Sequence, residues 1–228
     1  MITQSGFDEL YMSYIYRKVR ERFSFLPSVC GMERKGDTTE IAFKTEREYC
    51  PYVRRFAEEN IADVISVGYK YAYFDKKLQV PLLSPIKKRI LITALVAADY
   101  KDDRSYVARR IKNFDSYCLD GVFHFRLQEL KKRWEGIAEY IPTDMGEESL
   151  DGFLSYLTED GTGKIFLKDN QVYGEDYRPL TRSLLTGVES TLGEIILGGA
   201  EHVYCFGDTD KETKGFLKKY YGEKAIFC

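Results

Sequence analysis

The sequence is short of histidine, nearly balanced in charge and free of long apolar runs, and each shortage closes off a class of function. Only two histidines stand among its 228 residues, His124 and His202, which leaves little for a histidine-based metal or acid–base array. The five cysteines, Cys30, Cys50, Cys118, Cys205 and Cys228, are scattered and form no C-x-x-C pair. Neither a disulfide framework nor structural zinc is expected, and free thiols in a reducing compartment are the default. Acids (36) and bases (34) leave a formal net charge of −2, which argues against a general nucleic-acid binder. The most apolar stretch, Leu184 to Phe206, is interrupted by Glu189, Glu194 and Glu201, so it falls short of the roughly 20 apolar residues of a membrane span. Met1 to Glu9 has neither the basic nor the apolar segment of a signal peptide. The expectation is a cytoplasmic protein without membrane insertion. No Walker loop, dinucleotide fingerprint, H-E-x-x-H or G-x-S-x-G string occurs, and no cofactor or metal is expected.

What is present is densest between Asn113 and Ile141. Phe114, Cys118, Val122 and Phe125, then Leu127, Leu130, Trp134, Ile137 and Ile141, recur at three- and four-residue steps, the helical period. Leu119 and Phe123 widen the apolar stripe. The spacing predicts one long central helix, roughly 40 Å at 1.5 Å per residue, stopped by Pro142.

Within it Arg126 faces Val122, Phe123 and Leu130 on a helical wheel. A guanidinium among packed side chains needs a carboxylate or several carbonyls. The favoured reading is a structural ion pair; the sharper one is an anion-binding arginine in a cleft. Asp120 and His124 stand at i, i+4, where they can meet, as a solvated contact or as part of a catalytic array. Gly121 costs about 1 kcal/mol in a helix interior, and close approach of another backbone would explain it.

Elsewhere the period alternates. Phe7 to Phe25 reads as a helix with a basic second half, closed by Pro27. Residues 28–46 read as a β-hairpin turning at Lys35-Gly36-Asp37, and Glu48 to Leu78 as helix. The run Tyr69 to Lys77 mixes tyrosine and lysine, a core rim in the favoured reading and a base-stacking surface in the other. Lys87-Lys88-Arg89 would extend the latter. Ser84 caps a helix from Pro85 to Tyr100; Ser105 to Ile111 and Glu147 to Leu157 are further helices. Beyond Gly161 a second hairpin (Lys164–Lys168, Gln171–Tyr173), a helix (Thr181–Leu197) and a strand–helix–strand tail are expected, the tail as a parallel crossover. The loop Gly207-Asp208-Thr209-Asp210 follows a strand and opens a helix, where α/β proteins bind phosphate. Asp208 and Asp210 oppose an anion, and Thr209-x-x-Glu212 fits a capping box.

Asp120-Gly121-Val122-Phe123-His124-Phe125-Arg126-Leu127 resembles the acidic-Gly-aromatic-x-x-Phe-Arg-Leu signature of the YtxC-like sporulation proteins of spore-forming Firmicutes. Asp120 replaces the usual Glu, Val122 an aromatic, and Leu130 a common Tyr. The order Glu148, Phe153, Leu157 and the strand–helix–strand ending are also similar to that family, so the resemblance covers residues 105–228. It implies a connection with sporulation and assigns no molecular role.

The expected fold is α+β: a helical body around the long helix, plus one small mixed sheet from the two hairpins and the C-terminal βαβ unit. Residues 1–160 form a mainly helical region and 161–228 a small α/β region within one compact unit. The leading function is a non-enzymatic protein acting through contacts with an unknown protein partner. The alternative is a small-molecule or phosphate-binding enzyme or sensor using Arg126 and the 207–210 loop.

Overall fold

The computed structural model describes residues 1–6, 9–26, 29–112 and 114–228. Expectations resting on Phe7, Pro27, Ser28 and Asn113 lie outside the described residues. In chain order the elements are β1 (Ile2–Ser5), α1 (Leu10–Arg22), β2 (Cys30–Lys35), β3 (Thr38–Phe43) and α2 (Cys50–Asp63). A wide π turn, Val64–Tyr69, joins α2 to α3 (Lys70–Lys77). Then come α4 (Pro85–Ala98), α5 (Tyr100–Ile111), β4 (Tyr117–Cys118) and α6 (Leu119–Gly121), which runs into a second π turn, Val122–Arg126, before α7 (Gln128–Tyr140). The remainder is α8 (Glu147–Glu159), β5 (Lys164–Lys168), β6 (Gln171–Tyr173), a 3-10 turn (Arg182–Thr186), α9 (Thr191–Gly198) and β7 (His202–Phe206). Last come α10 (Lys211–Phe216) with a third π turn (Leu217–Tyr221), and β8 (Ala225–Phe227). The α+β class is as expected. Among the described residues no helix is long and apolar enough to cross a membrane.

The chain divides into two compact units, residues 1–70 with 101–136 and residues 71–100 with 137–228. In the first, a four-stranded sheet of order β2-β3-β1-β4 carries the expected hairpin as β2 and β3, which pair antiparallel around Gly36. Helix α1 packs on this hairpin and on α2, burying Met12, Ile15 and Val19 with Ile2, Ile41, Ile61 and Ile65. Each such side chain contributes roughly 1.5–3 kcal/mol of hydrophobic stabilisation. Gly68 sits in the first π turn against the Tyr11 ring; a Cβ there would lie 2.4 Å from Tyr11 Cε1. The absent side chain is what lets that ring stack on Tyr69, centroids 5.1 Å apart.

In the second unit a sheet of order β6-β5-β7-β8 is formed by the second hairpin and the parallel tail. The hairpin turn is Asp169–Asn170, both at positive φ, the conformation of a two-residue type I′ connection that Asn and Asp tolerate. Ile165, Leu167, Val172, Val203 and Cys205 point to the buried face. Helix α4 packs on α8 and α9.

Three expectations are corrected. The stretch 113–141 is not one helix: Tyr117–Cys118 pairs in parallel with Ile2–Thr3, and the chain leaves helical geometry again at Leu127, φ −115°, ψ 34°. A strand partner from the far amino end of the chain overrides the local period. The hairpins do not share one sheet; each belongs to its own. Thr181–Leu197 is split at Gly187, whose φ of 82° ends the 3-10 turn, and Ser190 then caps α9 by accepting a hydrogen bond from Gly193 N.

Candidate functional site

In the first unit the signature segment is built on the π turn Val122–Arg126. A π turn holds more residues than an α turn, so Phe125 and Arg126, which regular spacing turns inward, face out, while Leu127 keeps its inward place. Leu119, Val122, Phe123, Leu127, Leu130 and Trp134 are buried. His124, Phe125 and Arg126 are exposed, Phe125 to 81%. Arg126 is therefore neither a buried ion pair nor the floor of a cleft: its guanidinium lies over the Phe114 ring, 5.7 Å from the centroid. Gln128 Nε2 donates to the His124 carbonyl, tying the end of the turn to α7.

Asp120 and His124 do not meet. Asp120 Oδ1 accepts from Tyr69 Oη at 2.8 Å and Oδ2 from Ser5 N at 2.9 Å, so the carboxylate pins α6 to the α2–α3 turn and to β1. Burial first, then the Asp120 carboxylate, push the Tyr69 phenol far above its ordinary range. A Cβ at Gly121 would meet only Cys118, Sγ at 3.3 Å; the close approach is local, with no second backbone involved.

Beneath the turn the rings form a column. Tyr11 stacks on Tyr69, Tyr69 meets Phe123 at 4.7 Å, and Phe123 stacks on Trp134 at 5.7 Å. Lys131 Nζ lies over Phe123. The column ends on a buried ionic node. Lys70 Nζ is 2.9 Å from Asp103 Oδ2, and Trp134 Nε1 donates to the same oxygen at 2.8 Å. Arg133 approaches Asp103 Oδ1 at 3.4 Å. Lys70 is 0% and Asp103 2% exposed. The tyrosine–lysine run is thus largely packing: Tyr69, Lys70 and Phe74 face inward.

In the second unit Gly207 takes φ 77° at the end of β7. The helix opens one residue later than the capping box supposes. Asp210, not Thr209, is the cap, its Oδ1 accepting from Thr213 N at 2.8 Å while its own N–H donates to Asn170 Oδ1. Burial works to raise the Asp210 carboxyl, but the N–H groups of Thr213 and Glu212 and the Thr213 hydroxyl outweigh it and hold it below the usual range. Asp208 is exposed. The loop is a cap tied to the β5–β6 turn.

Glu212, just beyond that loop, instead borders a cavity of about 210 Å³ lined by α4, the 3-10 turn and the amino end of α9. Behind its Ser183 wall lies Glu194, 4% exposed, which accepts from Ser183 N through Oε1 and has no hydrogen-bond partner on Oε2 among the described residues. Burial raises its pKa, opposed by the Ser183 hydroxyl and N–H and by the Arg182 charge. Below the ordinary glutamate range both folded and unfolded chains hold the proton and nothing depends on pH. Above it the unfolded chain ionises first, so stability falls until pH passes the raised folded value. Glu194→Gln is expected to flatten that fall: denaturation midpoints of variant and parent, compared from pH 4 to 8, should move in the variant's favour as pH rises. Parallel pH profiles would contradict a buried, reluctantly ionised Glu194.

Lys70, Asp103 and Glu194 escaped sequence reasoning. No wheel drawn on the sequence singles out Lys70, because Ser66 is one of its neighbours and the π turn Val64–Tyr69 just before it breaks the regular spacing. Among the described residues no group of three or more His, Cys, Asp or Glu side chains could hold a metal ion. No protein-family model, curated protein or solved structure matches the chain.

Proposed function

We propose that this chain is a non-enzymatic cytoplasmic binding protein, connected with sporulation as its YtxC-like signature suggests. It presents Phe125 and Arg126 to an apolar, acidic patch on a protein partner. The observation that carries this is Phe125 at 81% exposure on a turn whose underside is locked by packing. Aromatic and arginine side chains supply a large share of interface hot spots, and rigid support lowers the ordering cost of binding. An apolar pocket would take the ring and a carboxylate the guanidinium.

The rival reading, a phosphate-binding enzyme or sensor using Arg126 and Gly207–Asp210, finds less support. Arg126 is exposed on the outer side of its turn and not set in a cleft, and Asp210 already serves as the helix cap.

The test is the double substitution Phe125→Ala with Arg126→Ala. It should weaken capture of the partner by about 30-fold or more, the size of a hot-spot loss. It should lower spore yield in a host that relies on the chain, and leave thermal unfolding unchanged. Undiminished capture, or an equal loss from Lys132→Ala on the exposed face of α7, would contradict the proposal.

A further inference from the structure

The cavity of the second unit combines features that belong to neither the signature turn nor the 207–210 loop. Its volume of about 210 Å³ is below the roughly 300–1,000 Å³ of pockets that take drug-sized ligands, so its occupant is a small metabolite. Ile86, Ile90, Leu192 and Ile196 supply an apolar wall. Two opposite charges line the same space, Arg89 from α4 and Glu212 from α10. Neither has an ion-pair partner among the described residues, and they do not pair with each other. Ser190, Leu192 and Gly193 bring the amino end of α9 to the cavity, where the helix dipole is a second source of positive potential.

A ligand that satisfies this arrangement carries a carboxylate for Arg89 and the α9 terminus, an ammonium for Glu212, and an aliphatic body for the isoleucine wall. A phosphate fits worse: its second charge would face Glu212, with the buried Glu194 close behind Ser183. We infer that this cavity binds a free α-amino acid with an aliphatic side chain. The site belongs to the second unit and does not depend on the partner reading, which concerns the first.

Isothermal titration of the whole chain with L-leucine and L-isoleucine tests it. At least one should bind saturably, one per chain. 4-Methylpentanoate, which lacks the ammonium, and isopentylamine, which lacks the carboxylate, should each bind about tenfold more weakly or worse, the cost of leaving a charged hydrogen-bonding group unmatched. Arg89→Gln and Glu212→Gln should each weaken the amino acid by a similar factor. Both side chains are exposed, so the melting curves of these variants should match the parent's. No saturable binding of either amino acid in the millimolar range would overturn the inference. So would equal binding of 4-methylpentanoate, or binding indifferent to both substitutions.

Discussion

Replacing Asp103 by asparagine is expected to cost about 3–5 kcal/mol, the penalty for breaking a buried ion pair from one side. Lys70 would keep its charge with none of its side chain exposed and lose the carboxylate 2.9 Å away. Domains are stable by only about 5–15 kcal/mol in all, so this one atom exchange should remove a large fraction of the first unit's stability. Lys70→Met should cost less, because Asp103 keeps the Trp134 N–H and the Arg133 guanidinium. The double variant should be more stable than the sum of the single losses implies, with a coupling of about 1–3 kcal/mol for groups in one network. Urea titration followed by fluorescence reads this directly, since the chain's one tryptophan, Trp134, is a member of the node. A cost below about 1 kcal/mol for Asp103→Asn, the value of an exposed pair, would show that the node is not dry.

The second large effect is a matter of space. Gly161→Ala would place its Cβ 2.6 Å from the Ala200 carbonyl oxygen and 2.8 Å from its carbon. Thr162 N bonds Gly199 O, while Glu201 N and His202 N both bond Gly163 O, so two backbone segments are laced together where β5 and β7 begin. Neither can swing aside as a side chain could. The expected loss is about 3 kcal/mol, the upper end of overpacking penalties. Gly152 is the control. It lies inside α8, where an added methyl would meet nothing within 4 Å, and Gly152→Ala should stabilise by about 1 kcal/mol through helix propensity alone. Thermal denaturation of the two variants should give shifts of opposite sign; shifts of the same sign would contradict the packing at Gly161.

What could be read from the residues was what the chain settles locally. Both hairpins follow from turn chemistry, Gly36 in one and Asp169–Asn170 in the other, with alternating residues on either side. The tail follows from a strand, a helix and a strand in short succession, and β7 and β8 do pair in parallel. What escaped depends on partners far along the chain. Strand β1 is four residues and β4 two; neither has a pattern until the other and β3 are beside it. The π turns are a different failure. An extra residue in one turn shifts later side chains around the helix axis, so periodicity carried through Val122–Arg126 placed Phe125 and Arg126 inside, whereas Leu127, on the same stripe, is buried. Lys70 and Asp103 each read as ordinary surface charges, because their meaning lies in a contact between α3 and α5 that no local pattern announces. In the candidate segment it was the orientation that periodicity misread: Asp120 is tied to Tyr69 and Ser5, while the basic and aromatic end, His124 to Arg126, is turned outward.

Whether that outward turn is a contact surface is the central question for function. Its most direct test is site-specific photo-crosslinking in sporulating cells, with a benzoylphenylalanine at position 125 and, as the comparison, at the exposed Tyr140. One discrete protein adduct is expected from position 125, absent when Arg126 is also changed to alanine and absent from position 140. No adduct from position 125, or the same smear of products from both positions, would contradict a partner-binding turn.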